Sequence, residues 1–168
     1  MTGGLLPDDI ETLARRVVEE NAALGRKVTV AESCTGGLIV AALTDVPGAS
    51  RVVNRGFVTY ADDAKMELLN VPLKTLRTEG AVSSFTAVAM AQGALAYHNI
   101  DCAAAVTGVA GPGGGTVEKP IGLVYIAVAK RGHEIQCKEY SFGEIGRDKV
   151  RLATVKMALE MLKDLAEL

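Results

Sequence analysis

Apolar residues at Ile10, Leu13, Ala14, Val17, Val18 and Leu24 recur at helical spacing, and Gly25 follows as a stop signal. This pattern predicts an amphipathic helix over residues 7–24. The period changes at residues 27–31, a short apolar run read as a strand. The run Ser33-Cys34-Thr35-Gly36-Gly37 then turns the chain into a helix of small residues from about residue 35 to 44. GFVTY (56–60) predicts a second strand. ADDAKMELLNV (61–71) continues as a helix with an acidic first turn, as the helix dipole favours, and Pro72 ends it. Ser83 or Ser84 caps an alanine-rich helix that runs through Tyr97, and DCAAAVTG (101–108) reads as a small-residue strand buried on both faces.

Residues 108–120, GVAGPGGGTVEKP, form a glycine-rich segment. The strands IGLVYIAVAK and EIQCKEYSF follow, and their connection is too short for a crossover, so an antiparallel hairpin is expected. Val150, Ala153, Met157, Ala158, Met161, Leu162 and Leu165 place a stripe on a last helix over residues 146–165. Helices interleaved with strands, plus one hairpin, predict a three-layer α/β/α sandwich on a mixed, mostly parallel sheet. With 168 residues, 49% of them hydrophobic, and no repeat or linker, one domain over residues 1–168 is expected.

A formal net charge of -2 with interspersed signs gives no basic field, so nucleic acid is not an expected partner. The N-terminal stretch MTGGLLPDD carries no export pattern, and no long uncharged apolar run suggests a membrane span. Cys34, Cys102 and Cys137 are odd in number and form no CxxC; a disulfide framework and a zinc site are not expected, and a reducing cytoplasm fits best. His98 and His133 are the only histidines, too few and too far apart for a metal pair or a histidine triad. No metal or other cofactor is expected.

Candidate chemistry concentrates at residues 29–37, TVAESCTGG. Ser33 stands between a predicted strand and a predicted helix, where unpaired backbone N–H groups can hold an oxyanion or a phosphate. Ser33 or Thr35 can equally be the helix N-cap, while Gly36 and Gly37 let a ligand or another backbone come close. Cys34 is a rival nucleophile or a small buried apolar residue. With histidine unavailable, the base for Ser33 falls to Tyr60 or Lys65 in TYADDAK, although Lys65 is also placed to pair with Asp62 or Asp63 in solvent. A lysine half neutral near pH 7 must lose about three pKa units, roughly 4 kcal/mol, which requires desolvation. If Asp62 and Asp63 keep it charged, Lys65 instead helps to ionise Tyr60; both proton routes stay open. The glycine-rich segment is neither a P-loop nor a dinucleotide fingerprint, yet its backbone can wrap a phosphate or sugar. Thr107 precedes it at a strand end. Arg147 and Arg151, one turn apart, either meet a phosphate or sit in solvent.

Taken together, TVAESCTGG, GFVTYADDAK, GAVS, TGVAGPGGG and EKPIGLVY closely resemble the CinA C-terminal family of nicotinamide-nucleotide amidohydrolases, in order and over nearly the whole chain. The resemblance implies metal-free hydrolysis of the carboxamide of nicotinamide mononucleotide to nicotinate mononucleotide and ammonia, in pyridine nucleotide recycling. On the family pattern Ser33 matches the nucleophile, and Tyr60 and Lys65 match its proton-transfer partners. Cys34, Thr35, Gly36, Thr107, Gly108, Gly111, Gly113, Arg147 and Arg151 are the expected substrate-binding set. The family's fold is an α/β/α sandwich, and its members commonly form homo-oligomers, here with a dimer favoured. Longer members carry an added N-terminal domain that is not expected in this chain, so its activities are not carried over. With no Trp and only four Tyr and three Phe, stacking on the pyridinium is limited. A non-catalytic nucleotide-binding or protein-interaction module of the same fold is the alternative reading.

Overall fold

A computed structural model describes residues 4–168; residues 1–3, the start of the stretch read above for an export signal, lie outside the described residues. In chain order the elements are α1 (Asp8–Ala23), β1 (Val28–Glu32), α2 (Leu38–Thr44), a 3-10 turn (Ala49–Arg51), β2 (Val53–Val58), α3 (Asp62–Leu69), α4 (Leu73–Glu79), α5 (Ser84–Leu95), β3 (Cys102–Gly108), β4 (Leu123–Lys130), β5 (Gln136–Ser141) and α6 (Arg147–Ala166). The sheet runs β2-β1-β3-β4-β5. β1 pairs in parallel with β2 and β3, whereas β4 is antiparallel to both β3 and β5. Four of the five strands therefore point the same way, and β4 alone is reversed.

Alternation along the central strands divides their side chains between two unlike layers. Cys102, Ala104 and Val106 of β3, with Val124, Ile126 and Val128 of β4, face α1, α2 and α6 in a core of large side chains such as Val17, Ile39, Leu43, Leu159 and Leu162. Each of these, fully buried, contributes about 1.5–3 kcal/mol of transfer free energy, so this layer supplies most of the drive to fold. The opposite face is nearly all alanine: Ala31, Ala103, Ala105, Ala127 and Ala129 meet Ala87, Met90, Ala91 and Ala94 of α5, with Leu69 and Leu76 from α3 and α4. Small residues on both sides gain less per contact but let α5 lie close to the sheet. Gly93 continues the logic, since a Cβ there would run into the backbone of Leu69.

Several boundaries move. α2 begins at Leu38 rather than near Thr35, because Gly36 (φ +59) and Gly37 (φ +103) take left-handed conformations that keep residues 33–37 a turn. β2 spans Val53–Val58, so Tyr60 lies beyond the strand end instead of closing it. α4 and the 3-10 turn were not anticipated. In LKTLRTE only Leu76 is buried, which leaves no stripe to read. Ser83 does cap α5, accepting the Thr86 N–H at 3.0 Å. Among the described residues no helix is long and apolar enough to cross a membrane.

Candidate active site

The register across β2, β1 and β3 sets Glu32 level with Val58 and Val106. The next residue of each strand, Ser33, Thr59 and Thr107, therefore emerges at the same carboxyl edge. Backbone bonds tie that row together: Ser33 N–H donates to Val106 O at 3.1 Å and Thr59 N–H to Glu32 O at 2.9 Å. From β1 the chain leaves toward the α2 layer, and from β2 toward the α3–α5 layer. Adjacent parallel strands whose exits part in this way open a crevice between them, the usual ligand position in α/β sheets.

Lys65, in the first turn of α3, points into this crevice. It is 1% exposed, and its Nζ lies 3.1 Å from Ser33 Oγ, 2.8 Å from Thr59 O and 3.3 Å from Tyr60 O. It is no solvated partner of the aspartates. Burial lowers its pKa below the ordinary lysine value, opposed by the charge of Asp62 and, more weakly, by Cys34. Two carbonyls and one hydroxyl surround Nζ: a charged amine donates to all three, and a neutral one can donate to Thr59 O and Tyr60 O and keep its lone pair for the Ser33 hydroxyl. Because the same carbonyls would also accept from an ammonium, a proton taken from Ser33 does not leave a charge unsolvated.

The turn after Ser33 is held from two sides. Glu32, fully buried, accepts from Thr35 Oγ1 at 2.6 Å and from the N–H groups of Ile39 and Val40 at 2.9 and 3.0 Å. Its carboxylate thus caps α2 from the preceding strand and fills the helix N-terminus that the sequence suggested for an anion. Thr35, expected at the substrate, instead spends its hydroxyl on Glu32. Arg151 donates from Nε to Cys34 O and from a terminal nitrogen to Thr35 O, both at 3.1 Å. Neither Thr35, Gly36 nor Arg151 lines the cleft. The Cys34 N–H, directly after the serine, donates to no other residue among those described.

A cleft of about 290 Å³ opens above the serine and lysine, bounded by Ser33, Cys34, Tyr60, Lys65, Ala81, Val82, Thr107, Gly108, Gly111, Gly113 and Arg147. Thr107 Oγ1 donates to Ala81 O at 2.7 Å, pinning the end of β3 to the turn before α5 rather than pointing free into the cleft. Arg147, the first residue of α6, donates to Gly111 O at 2.8 Å and to the Tyr60 hydroxyl at 3.1 Å. Tyr60, 61% exposed, thus meets Arg147 through its phenol and Lys65 only through its backbone carbonyl. A lysine that ionises the phenol is not what this geometry holds. Cys34 is buried, and burial raises its thiol pKa to about 11, so it stays a thiol near neutrality. Among the described residues no cluster of His, Cys, Asp and Glu is arranged to hold a metal ion.

Sequence reasoning missed Glu32 and the carbonyls of Thr59 and Tyr60. A carboxylate closing the apolar run VTVAE, three residues before a threonine, was the available signal, because a buried acid must find donors. The carbonyls had none, since they follow from the course of the chain after β2.

Fold and site together define an α/β/α sandwich protein with a serine and a buried lysine meeting at the carboxyl ends of parallel strands. Residues 10–166 match the CinA C-terminal domain, and the chain belongs to that family. It is 45% identical over 164 residues to a CinA-like protein of Geotalea uraniireducens, covering 97% of this chain and 38% of that one. To a CinA-like protein of Syntrophus aciditrophicus it is 51% identical over 140 residues, covering 82% and 33%. The chain spans about a third of the length of these curated relatives. Among solved structures, the competence/damage inducible protein CihA from Agrobacterium tumefaciens superposes with a TM-score of 0.95 at 54% identity, covering 97% of this chain and 99% of that one. A competence-damaged protein (CinA) superfamily protein from Escherichia coli gives 0.88 at 32% identity, covering 100% and 96%. These names describe competence and damage rather than a reaction.

Proposed function

We propose that this chain is a metal-independent serine amidohydrolase that converts nicotinamide mononucleotide to nicotinate mononucleotide and ammonia. The observation that carries the reading is the buried Lys65 amine 3.1 Å from Ser33 Oγ at the mouth of a cleft. The resemblance of its motifs to nicotinamide-nucleotide amidohydrolases supplies the substrate.

In the proposed reaction neutral Lys65 takes the Ser33 proton as Oγ adds to the carboxamide carbon. The oxyanion forms beside the Cys34 N–H, the position after the nucleophile that serves this purpose in the α/β-hydrolases. The tetrahedral adduct collapses with cleavage of the C–N bond. Lys65 returns its proton to the leaving nitrogen, and ammonia departs from an acyl-Ser33 ester. Water then gives a proton to Lys65 and its hydroxide to the acyl carbon; the C–Oγ bond breaks, Lys65 returns that proton to Ser33 Oγ, and the acid released loses its own proton to solvent or ammonia as the carboxylate. Arg147, the guanidinium at the cleft wall, is the cation available to the phosphate.

Ser33→Ala is expected to lower ammonia release from nicotinamide mononucleotide by about three orders of magnitude or more, with an unchanged far-UV spectrum. Cys34→Ala is expected to keep most of the activity. A wild-type protein that binds the nucleotide without releasing ammonia would instead identify a binding module.

A further inference from the structure

Arg151 was expected at a phosphate, yet it does not line the cleft. It projects from the second turn of α6, a 20-residue helix anchored in the large-residue core by Val150, Val155, Leu159 and Leu162. Its two contacts fall on consecutive carbonyls, Cys34 O and Thr35 O, in the turn that carries the nucleophile. A planar fork reaching two carbonyls restrains a loop in orientation as well as position, which one ammonium cannot do. Gly36 adds an independent observation. At φ +59 the backbone curls past the guanidinium, and a Cβ there would stand 3.3 Å from Arg151 Nη2. The turn's shape thus leaves room for this side chain. Glu32 closes the other side by binding Thr35 Oγ1 and the start of α2, so residues 33–37 are clamped between a carboxylate in β1 and a guanidinium in α6.

We infer that Arg151 is a positioning residue, whose grip on the Cys34 and Thr35 carbonyls fixes Ser33 Oγ and the Cys34 N–H in reacting geometry. The inference rests on the serine reading above. A displaced nucleophile still binds substrate but attacks it poorly, and a misplacement near 1 Å costs about 100-fold in rate. The loss therefore falls on kcat and leaves KM nearly unmoved. A phosphate-binding arginine would do the opposite: KM would rise for the nucleotide, and the nucleoside that lacks the phosphate would be spared.

The test compares wild type, Arg151→Ala, Arg151→Lys and, as a control for charge on α6, the exposed Lys149→Ala. Three quantities are read: kcat and KM for nicotinamide mononucleotide and for nicotinamide riboside, the rate at which a fluorophosphonate labels Ser33, and the melting temperature. Arg151→Ala should lose about 100-fold in kcat on both substrates with KM within about twofold, and labelling should slow in parallel. Added guanidinium ion should restore part of the labelling rate, while Lys149→Ala behaves as wild type. Arg151→Lys keeps the charge and most of the volume, so it carries the same comparison should the alanine variant not fold; it too should label slowly. Labelling of either folded variant at the wild-type rate overturns the inference, as does a rise in KM confined to the nucleotide. Wild type that is labelled at Ser33 but releases no ammonia refutes the substrate alone, and Arg151 is then judged by labelling. Wild type inert to both refutes the serine reading and this inference with it.

Discussion

Whether Lys65 is neutral decides how Ser33 reacts. Desolvation pushes the ammonium toward losing its proton, and Asp62 and two carbonyls pull the other way. The net direction is downward, so kcat/KM should rise with pH along a limb whose midpoint lies below the ordinary lysine value of 10.5. Replacement by arginine keeps charge but offers no lone pair. Lys65→Arg and Lys65→Met should therefore be comparably inactive, with Tyr60→Phe milder than either, because the Tyr60 phenol touches Arg147 rather than Lys65. Steady-state ammonia release at pH 6 to 10 checks this; a Lys65→Arg enzyme with substantial activity beside a dead Tyr60→Phe enzyme would restore the phenolate route. The sequence supplied Ser33 and Lys65 as candidates because residue type and strand-end position suffice to nominate them. It left Lys65 divided between cleft and solvent, since nothing local to TYADDAK says which way a side chain in a first helical turn points.

At the scale of elements, the short helix α2 depends on a group outside itself. Gly37 is its N-cap and supplies no side-chain acceptor, so Glu32 alone meets the N–H groups of Ile39 and Val40. Glu32→Gln retains the shape but replaces one acceptor oxygen with an amide that donates, which leaves at least one of its three donors, two of them buried, unpaired. A loss on the order of 1–3 kcal/mol is expected, measured as a lower urea midpoint at unchanged slope. Equal midpoints would show that the cap is dispensable. This tie explains why α2 starts three residues later than its sequence suggests: small residues and glycines give no stop or start signal beyond Ser33 and Thr35, and the true cap precedes both. The same reason hides α4, whose single buried Leu76 carries no period. α1 and α6 were legible because a helical period recurs over several buried positions, β3 and β4 because they are short apolar runs buried on both faces, and the half-exposed β5 through the short connection that pairs it with β4.

At the scale of the whole molecule, one arrangement joins stability to chemistry. Three parallel strands bring Ser33, Thr59 and Thr107 to one edge, and closing that edge buries both Cys34 and Lys65. The two groups act on pH stability with opposite sign. Lys65, whose pKa is lowered on folding, penalises the native state while it is charged in the unfolded chain, and that penalty lifts as pH rises from the lowered native value to 10.5. Cys34 moves from an unfolded value of 9.0 to about 11 in the fold. Between those values the unfolded chain has released a proton that the native state still holds, so stability falls as pH rises, by on the order of 2–3 kcal/mol in total. Cys102, Cys137, Tyr125 and Tyr140 are raised as well and add to the same decline. A wild-type curve alone therefore does not isolate Cys34, but its difference from Cys34→Ala removes the groups common to both proteins and leaves Cys34 with its weak coupling to Lys65. Urea midpoints under reductant at pH 8 to 11 should show the variant declining less than wild type, with the gap opening above pH 9. Parallel curves across that range would mean that the native thiol ionises as readily as the unfolded one, and the closed packing around Ser33 would have to be abandoned.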